Sequence, residues 1–243
     1  MDPMDVVVPI LAGLLLLLLL SLTPPGRSLR QWAMARAYAR VQAAHEAHVA
    51  ERKREAFRSL AGTVLELGPG TGVNFRYLPD AVERWVGIEP NPHMHAALRA
   101  AAAERDVETE FRRVTAEGMD VADESVDAVI STLVLCSVPD PAVVLRDVLR
   151  ILKPGGRFVF LEHVAAPAGT STRRRQRLLK PLWWYVADGC RLDRDLEAEI
   201  RAAGFSRVAL EAFTLPPEAA PAVVRPSILG IAEKGAAADP RAS

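Results

Sequence analysis

The residue types able to do chemistry in this chain gather around one glycine-rich turn. The segment TVLELGPGTGVNF, Thr63 to Phe75, reads as an apolar strand, a tight turn with glycines at 68, 70 and 72, and then a helix start. Glycine admits backbone conformations closed to other residues and lets a ligand lie against the main chain. The spacing G-x-G-x-G, with Pro69 and Thr71 between the glycines, differs from the dinucleotide fingerprint G-x-G-x-x-G, which leaves room for a pyrophosphate at a helix N-terminus. Glu66 precedes the first glycine by two residues, where a carboxylate suits a cationic or amine-bearing ligand better than phosphates. Together these features point to S-adenosylmethionine rather than a nicotinamide dinucleotide. Glu66 is then either the partner of the ligand's ammonium or a cap for the turn.

These residues need strands to hold them, and the following sequence supplies them. RWVGIE, Arg84 to Glu89, is a second strand ending in an acid, followed by Pro90; a carboxylate there accepts both hydroxyls of a ribose. Phe111 to Val114 is a third strand, and the loop after it places Ala116 and Glu117 at the adenine edge. DESVDAVISTLVLCSV, Asp123 to Val138, supplies a turn, a fourth strand and its exit. There Thr132 and Leu133 either wall the cofactor or finish the core. A helix from about Pro141 to Leu152 leads into LKPGGRFVFLEHV, a Gly-Gly turn and a fifth strand. Leu196 to Ala203 reads as helix, and Phe205 to Phe213 and Ser227 to Glu233 as strands. Strands alternating with helices imply an α/β parallel sheet with ligands at the carboxyl ends of its strands.

The pattern from Thr63 to Val164 resembles the class I S-adenosylmethionine-dependent methyltransferases. ELGPGTG, the strand-end Glu89, the AEGM loop and LKPGG carry that resemblance in order. The hydrophobic N-terminus, GTGVNF, EPNP, TLVLCSV, FLEHVAAP, DGC and VRP further resemble the membrane-associated methyltransferase-like family of the endoplasmic reticulum and lipid droplets. The resemblance implies a Rossmann-like, doubly wound, seven-stranded sheet preceded by a membrane-anchor helix. It also implies methylation of small alkyl thiols, with the catalytic domain facing the cytosol. Its departures are Glu89 where the family often has Asp, Pro69 where it often has Cys, and an added tail from Gly235. Cofactor contacts fall on Glu66, Gly68, Pro69, Gly70, Thr71, Gly72, Glu89, Pro90, Ala116, Glu117, Thr132 and Leu133.

Methyl transfer from a sulfonium asks mainly for alignment in a water-poor site. A free thiol has a pKa near 8.5 and is about a few per cent thiolate at pH 7, so a dedicated base is dispensable. His163, at the end of the fifth strand, is the base candidate, with a structural histidine as the alternative. Asp188 either orients it or caps a helix. Direct transfer needs no enzyme thioether, so Cys136 and Cys190 are read as packing or pocket lining. Two cysteines exclude a disulfide-rich scaffold and a four-thiolate zinc site, and no metal is expected. His45 and His48 lie one helical turn apart without a third ligand and read as exposed helix positions.

With 243 residues, half of them hydrophobic and a quarter charged, the chain suffices for one domain and an appendage. The 30 basic residues balance 30 acidic ones, so bulk attraction to nucleic acid is not expected. The balance is uneven along the chain. Residues 1–26 carry a net −2, 27–62 carry +5, 63–162 carry −6 and 163–243 carry +3. Val6 to Leu22 is uncharged, with acids before it and Arg27, Arg30, Arg36 and Arg40 after it, the pattern of an uncleaved anchor whose following domain stays cytosolic. Whether it spans the bilayer or inserts from one side is open. The expected division is an anchor over 1–26, a basic helical linker over 27–60, a methyltransferase domain over 61–234 and a flexible tail over 235–243. In TRRRQRLLKPLWWYVADG, Thr172 to Gly189, bases beside aromatics suit contact with membrane lipids or the roof of an apolar acceptor pocket. A solvated helix leading into core aromatics is the plainer reading. The function expected is methyl transfer to a small apolar thiol at the endoplasmic reticulum membrane, with lipid droplets as a second location. Another acceptor (phenol, amine or lipid) and a non-catalytic cofactor-binding protein are the alternatives.

Overall fold

The structure, a computed structural model, describes residues 20, 21 and 23–236. The expected anchor lies almost wholly outside the described residues, as does the tail from residue 237. Among the described residues no helix is long and apolar enough to cross a membrane. Seven strands form one sheet in the order β3-β2-β1-β4-β5-β7-β6. They are β1 Gly62–Leu67, β2 Val82–Ile88, β3 Glu108–Arg112, β4 Val126–Thr132, β5 Leu152–His163, β6 Arg207–Thr214 and β7 Pro226–Glu233. The first five run parallel, while β7 pairs antiparallel with both β5 and β6. The sheet is therefore mixed rather than parallel throughout. The third strand is Glu108–Arg112 instead of Phe111 to Val114, because Arg84 to Ile88 of β2 take their partners there.

Period-two alternation sends neighbouring side chains of β1 to opposite faces, and each face has its own core. Leu65 and Leu67 pack with Phe158, Phe160 and the helices α3 (Pro141–Ile151) and α5 (Leu196–Ala202). Val64 packs with Trp85, Phe75 and the helices α1 (Pro24–Phe57) and α2 (His95–Ala103). The start of α3 is fixed locally: Asp140 caps it by accepting the Ala142 N–H at 2.9 Å, and Pro141 takes a first-turn position where its missing N–H costs nothing.

Two elements depart from the sequence reading. The glycine turn opens into a short 3-10 helix, Val73–Tyr77, instead of an α-helix. Pro79 explains the stop, since the residue before proline is pushed to extended backbone and Leu78 sits at φ −67°, ψ 128°. The second is α1. Pro24 and Pro25 begin this 34-residue helix, and it packs its last turns, Ala56 and Phe57, into the core of one sheet face. The segment read as a linker is thus a structural part of the domain.

Candidate active site

A cavity of about 320 Å³ opens where the carboxyl ends of β1, β2 and β4 meet. The chain leaves β1 toward β2 on one side and returns to β4 on the other, so this is the crevice where open α/β sheets take ligands. Gly68 and Gly70, Glu89 and Pro90, Ala116 and Glu117, and Thr132 and Leu133, all named from sequence, line it. Tyr38 and Met34 of α1 cover it, and Ala187 and Asp188 close one side. Glu66, Pro69, Thr71, Gly72 and His163 are not on its wall.

Backbone geometry makes the turn specific for glycine at 68, 70 and 72, the last with φ +81° and a Cβ that would lie 2.9 Å from Ala101 Cβ. Gly68 has φ +54°, and a Cβ there would lie 2.5 Å from Val134 Cγ2. Gly70 has φ +59° and donates its N–H to Glu89 Oε2 at 2.9 Å. The other oxygen of Glu89 accepts the Asn91 N–H at 2.8 Å. Burial raises the Glu89 carboxyl above its ordinary range, partly offset by these two amides. Each oxygen keeps lone pairs for a further donor.

Glu66 sits behind this wall, nearly inaccessible, in a polar chain. Asn74 Nδ2 donates to its Oε1 at 2.7 Å and Trp85 Nε1 to its Oε2 at 2.9 Å. Asn74 also donates to Thr132 Oγ1 at 3.1 Å and accepts from Lys53 Nζ at 2.9 Å. Lys53 in turn binds Glu46 at 2.5 Å, and the Tyr77 hydroxyl donates to Glu46 at 2.8 Å. Burial pushes Glu66 up to about 7. Burial opposes ionisation of Glu46 as well, but His45, Lys53 and Tyr77 hold it down at about 2. The ammonium contact expected of Glu66 is not what the geometry gives it: both oxygens serve Asn74 and Trp85, and its work is to fix the floor beneath Thr132.

The exit of β4 is held from both sides. Leu133 adopts φ +59°, a costly conformation for a branched residue and one that over-determined surroundings must maintain. Buried Glu162 supplies them, accepting the N–H groups of Val134 and Leu135 at 3.0 and 3.1 Å and the Ser131 hydroxyl at 2.7 Å. Opposite, the guanidinium of Arg194 donates to the carbonyls of Leu135, Val138 and Pro139. Neither residue was singled out from sequence, since an acid inside FLEHV looks like any strand-end acid.

His163 is buried at 4% exposure, and its Nε2 meets Cys190 Sγ at 2.7 Å. Burial opposes its charged form, but Cys136 and Glu162 outweigh that and raise its pKa. Asp188 does not orient it; its partner is Arg30, at 3.8 Å. His45 and His48 are half-buried rather than exposed, beside Glu46 and Glu218. The covering helix is the larger omission. Met34, Tyr38, Gln42, Glu46, Val49 and Lys53 recur at three- and four-residue spacing, a helical stripe hidden from an apolar search by its polar members.

The wall suits S-adenosylmethionine. Glu117 Oε1 is buried with no partner among the described residues, and Glu89 has acceptor capacity left, while Ile88, Met94, Leu133 and Val134 supply apolar surface. Glycine main chain at 68 and 70 leaves room for the amino-acid end without side chains in the way.

Comparison with known proteins agrees. A family model described as a methyltransferase domain matches residues 65–160. Thiol S-methyltransferase TMT1B of Rattus norvegicus is 39% identical over 95% of this chain and 100% of its own length. Thiol S-methyltransferase TMT1A of Homo sapiens is 41% identical over 76% of this chain and 80% of its own. Among solved structures, an S-adenosylmethionine-dependent methyltransferase of Thermotoga maritima, described as a possible histamine N-methyltransferase, superimposes with TM-score 0.60 at 22% identity, over 84% of this chain and 99% of that one.

Proposed function

We propose that this chain, which belongs to the family of the thiol S-methyltransferases TMT1A and TMT1B, moves the methyl group of S-adenosylmethionine onto the sulfur of a small apolar thiol. The observation that carries the reading is 39% identity over 95% of the chain to a thiol S-methyltransferase. When bound, the sulfonium supplies an activated methyl group. Gly68 and Gly70 hold the amino-acid end, Glu89 accepts the ribose hydroxyls, and Ala116 and Glu117 border the adenine. Leu133, Val134, Val138 and Met34 exclude water from the space left for the acceptor.

Among the described residues no histidine or cysteine lines this wall, and the Glu89 carboxylate there already accepts two backbone amides. Burial, with Glu46, Cys136, Glu66 and Glu89 nearby, pushes the Tyr38 phenol well above its ordinary value, so it stays protonated at neutral pH. The acceptor therefore arrives as its own thiolate. With labelled cofactor and full-length protein in detergent, alkyl thiols should be methylated at rates that rise with pH up to each thiol's own pKa. Methylation of phenols, amines or lipids in place of thiols would give the site another acceptor, and cofactor binding without turnover on any of them would make the chain a binding protein.

Location at the endoplasmic reticulum membrane, cytosolic side, with lipid droplets as a second site, belongs to the same proposal. Its support is the uncharged run ahead of α1 and the outward face of α4 (Ser171–Val186), where Leu178 is 78% and Trp184 48% exposed among Arg174, Arg175, Arg177 and Lys180. The two ends meet: the Tyr185 hydroxyl bonds Ser21, and Arg30 stacks on the Tyr185 ring at 5.0 Å.

A further inference from the structure

Three reactive groups that methyl transfer does not use meet beside the cavity. Cys136, His163 and Cys190 are 2%, 4% and 7% exposed, and their sulfur and nitrogen atoms all lie within 4.8 Å of one another. They are the two cysteines of the whole chain and a histidine from a third element. An indole N–H can only donate, so Trp183 Nε1, 3.1 Å from Cys190 Sγ, makes that sulfur an acceptor. His163 Nε2 approaches the same sulfur at 2.7 Å. The Cys136 thiol instead donates to the Leu133 carbonyl at 3.5 Å, and its hydrogen bond with Cys190 and burial raise its pKa. One sulfur thus accepts from Trp183 and faces the imidazole, while the other points its thiol at the Leu133 carbonyl. The main chains run side by side there, the Arg191 N–H donating to the Cys136 carbonyl at 2.8 Å, which brings a disulfide within reach of side-chain rotation and a small main-chain adjustment.

We propose that Cys136, His163 and Cys190 form a thiol–disulfide exchange site that takes small-molecule disulfides, the oxidised form of the enzyme's acceptor class. His163 takes the Cys190 proton. The Cys190 thiolate attacks one sulfur of R–S–S–R, a mixed disulfide forms, and the departing RS⁻ takes the proton from His163 and leaves as RSH. Cys136 then gives its proton to His163 and attacks Cys190 Sγ; the mixed disulfide breaks, the second RS⁻ leaves as RSH, and the Cys136–Cys190 bond remains. Two enzyme thiols are oxidised and one disulfide is reduced to two thiols. Excess monothiol reverses both steps and resets the site. Ser137, next to Cys136, and Asp188, two residues before Cys190, both line the cavity, so the bond ties together two of its walls.

Only the choice of disulfide rests on the thiol-acceptor reading; the chemistry of the pair stands apart from it. The test is the intact mass of folded full-length protein in detergent, freed of reductant and treated with 2-hydroxyethyl disulfide. Wild type should lose two hydrogens and release two equivalents of 2-mercaptoethanol. Cys136→Ser should stop at a mixed disulfide on Cys190, Cys190→Ser should stay unmodified, and adding His163→Gln to Cys136→Ser should slow adduct formation by ~100-fold. An unchanged wild-type mass, an adduct formed only after denaturation, or a tightly retained thiophilic metal ion that blocks exchange overturns the proposal. None of these readings involves methyl transfer, so failure of either proposal is visible separately.

Discussion

Two carboxylates of the same type, 23 positions apart, have been given different work by their surroundings. Glu89 reaches the cavity and keeps acceptor capacity, so Glu89→Gln should weaken cofactor binding by ~10- to 100-fold, the worth of a charge-assisted hydrogen bond, as titration calorimetry would read it. An unchanged affinity would remove Glu89 from the ribose. Glu66 is buried with its pKa near 7, and this has a consequence for stability. A carboxyl whose folded pKa is raised contributes fully below its unfolded value and loses that contribution as pH rises through the folded one. From the ordinary carboxyl value of 4.5 to about 7 the loss is ~3 kcal/mol. Urea unfolding should therefore show wild type losing stability from about pH 4.5 to about pH 7, and levelling off above that, relative to Glu66→Gln; parallel pH profiles would refute the assignment. Sequence located both acids but separated their roles only in part, because what decides the matter is the facing Asn74 and Trp85, which pattern reading took for a helix start and a strand interior.

Among the elements, the strands and their order along the chain were legible, since apolar runs bounded by Gly, Pro and Asp mark them directly. The glycine turn, Glu89 and the 115–119 loop followed, because strand ends position them. What stayed hidden depends on packing between elements distant in sequence: α1 over the cavity, the antiparallel β7, and Glu162 and Arg194 gripping the β4 exit. Those two can be tested at this scale. Glu162→Ala leaves the Val134 and Leu135 amides unpaired in the core and removes what keeps Leu133 at positive φ. A destabilisation of ~3–5 kcal/mol is expected, read by thermal or denaturant unfolding. Lys53→Met strands Glu46 beside Glu66 and should cost about as much, whereas the double change Lys53→Met with Glu46→Leu should recover much of it. Lack of recovery would mean that Lys53 serves packing and not charge.

At the scale of the whole molecule, the zero net charge conceals a polarity: an acidic stretch from 63 to 162 lies between basic ones. If α4 rests on a bilayer, flotation with vesicles containing anionic lipid should fall as salt is raised, and Arg174→Glu with Arg177→Glu should weaken it by ~2 kcal/mol or more, since each basic residue near such a surface is worth ~1 kcal/mol. Binding indifferent to both changes would make α4 an ordinary solvated helix. Composition alone identified the basic helix and its aromatics, but not which aromatic faces where: Trp183 packs against the core while Trp184 is 48% exposed. An α-helix rises ~1.5 Å per residue, so α1 is a rod ~50 Å long. Its first turn is capped by Thr23 and tied through Ser21 to Tyr185, while Tyr38 and Lys53 on the same rod reach the site. Where one cuts the gene to obtain a shorter, more tractable protein is therefore a decision about enzyme performance: trimming to Arg27 discards the splint of the roof together with the greasy leader, and a useful truncation starts at or before residue 20.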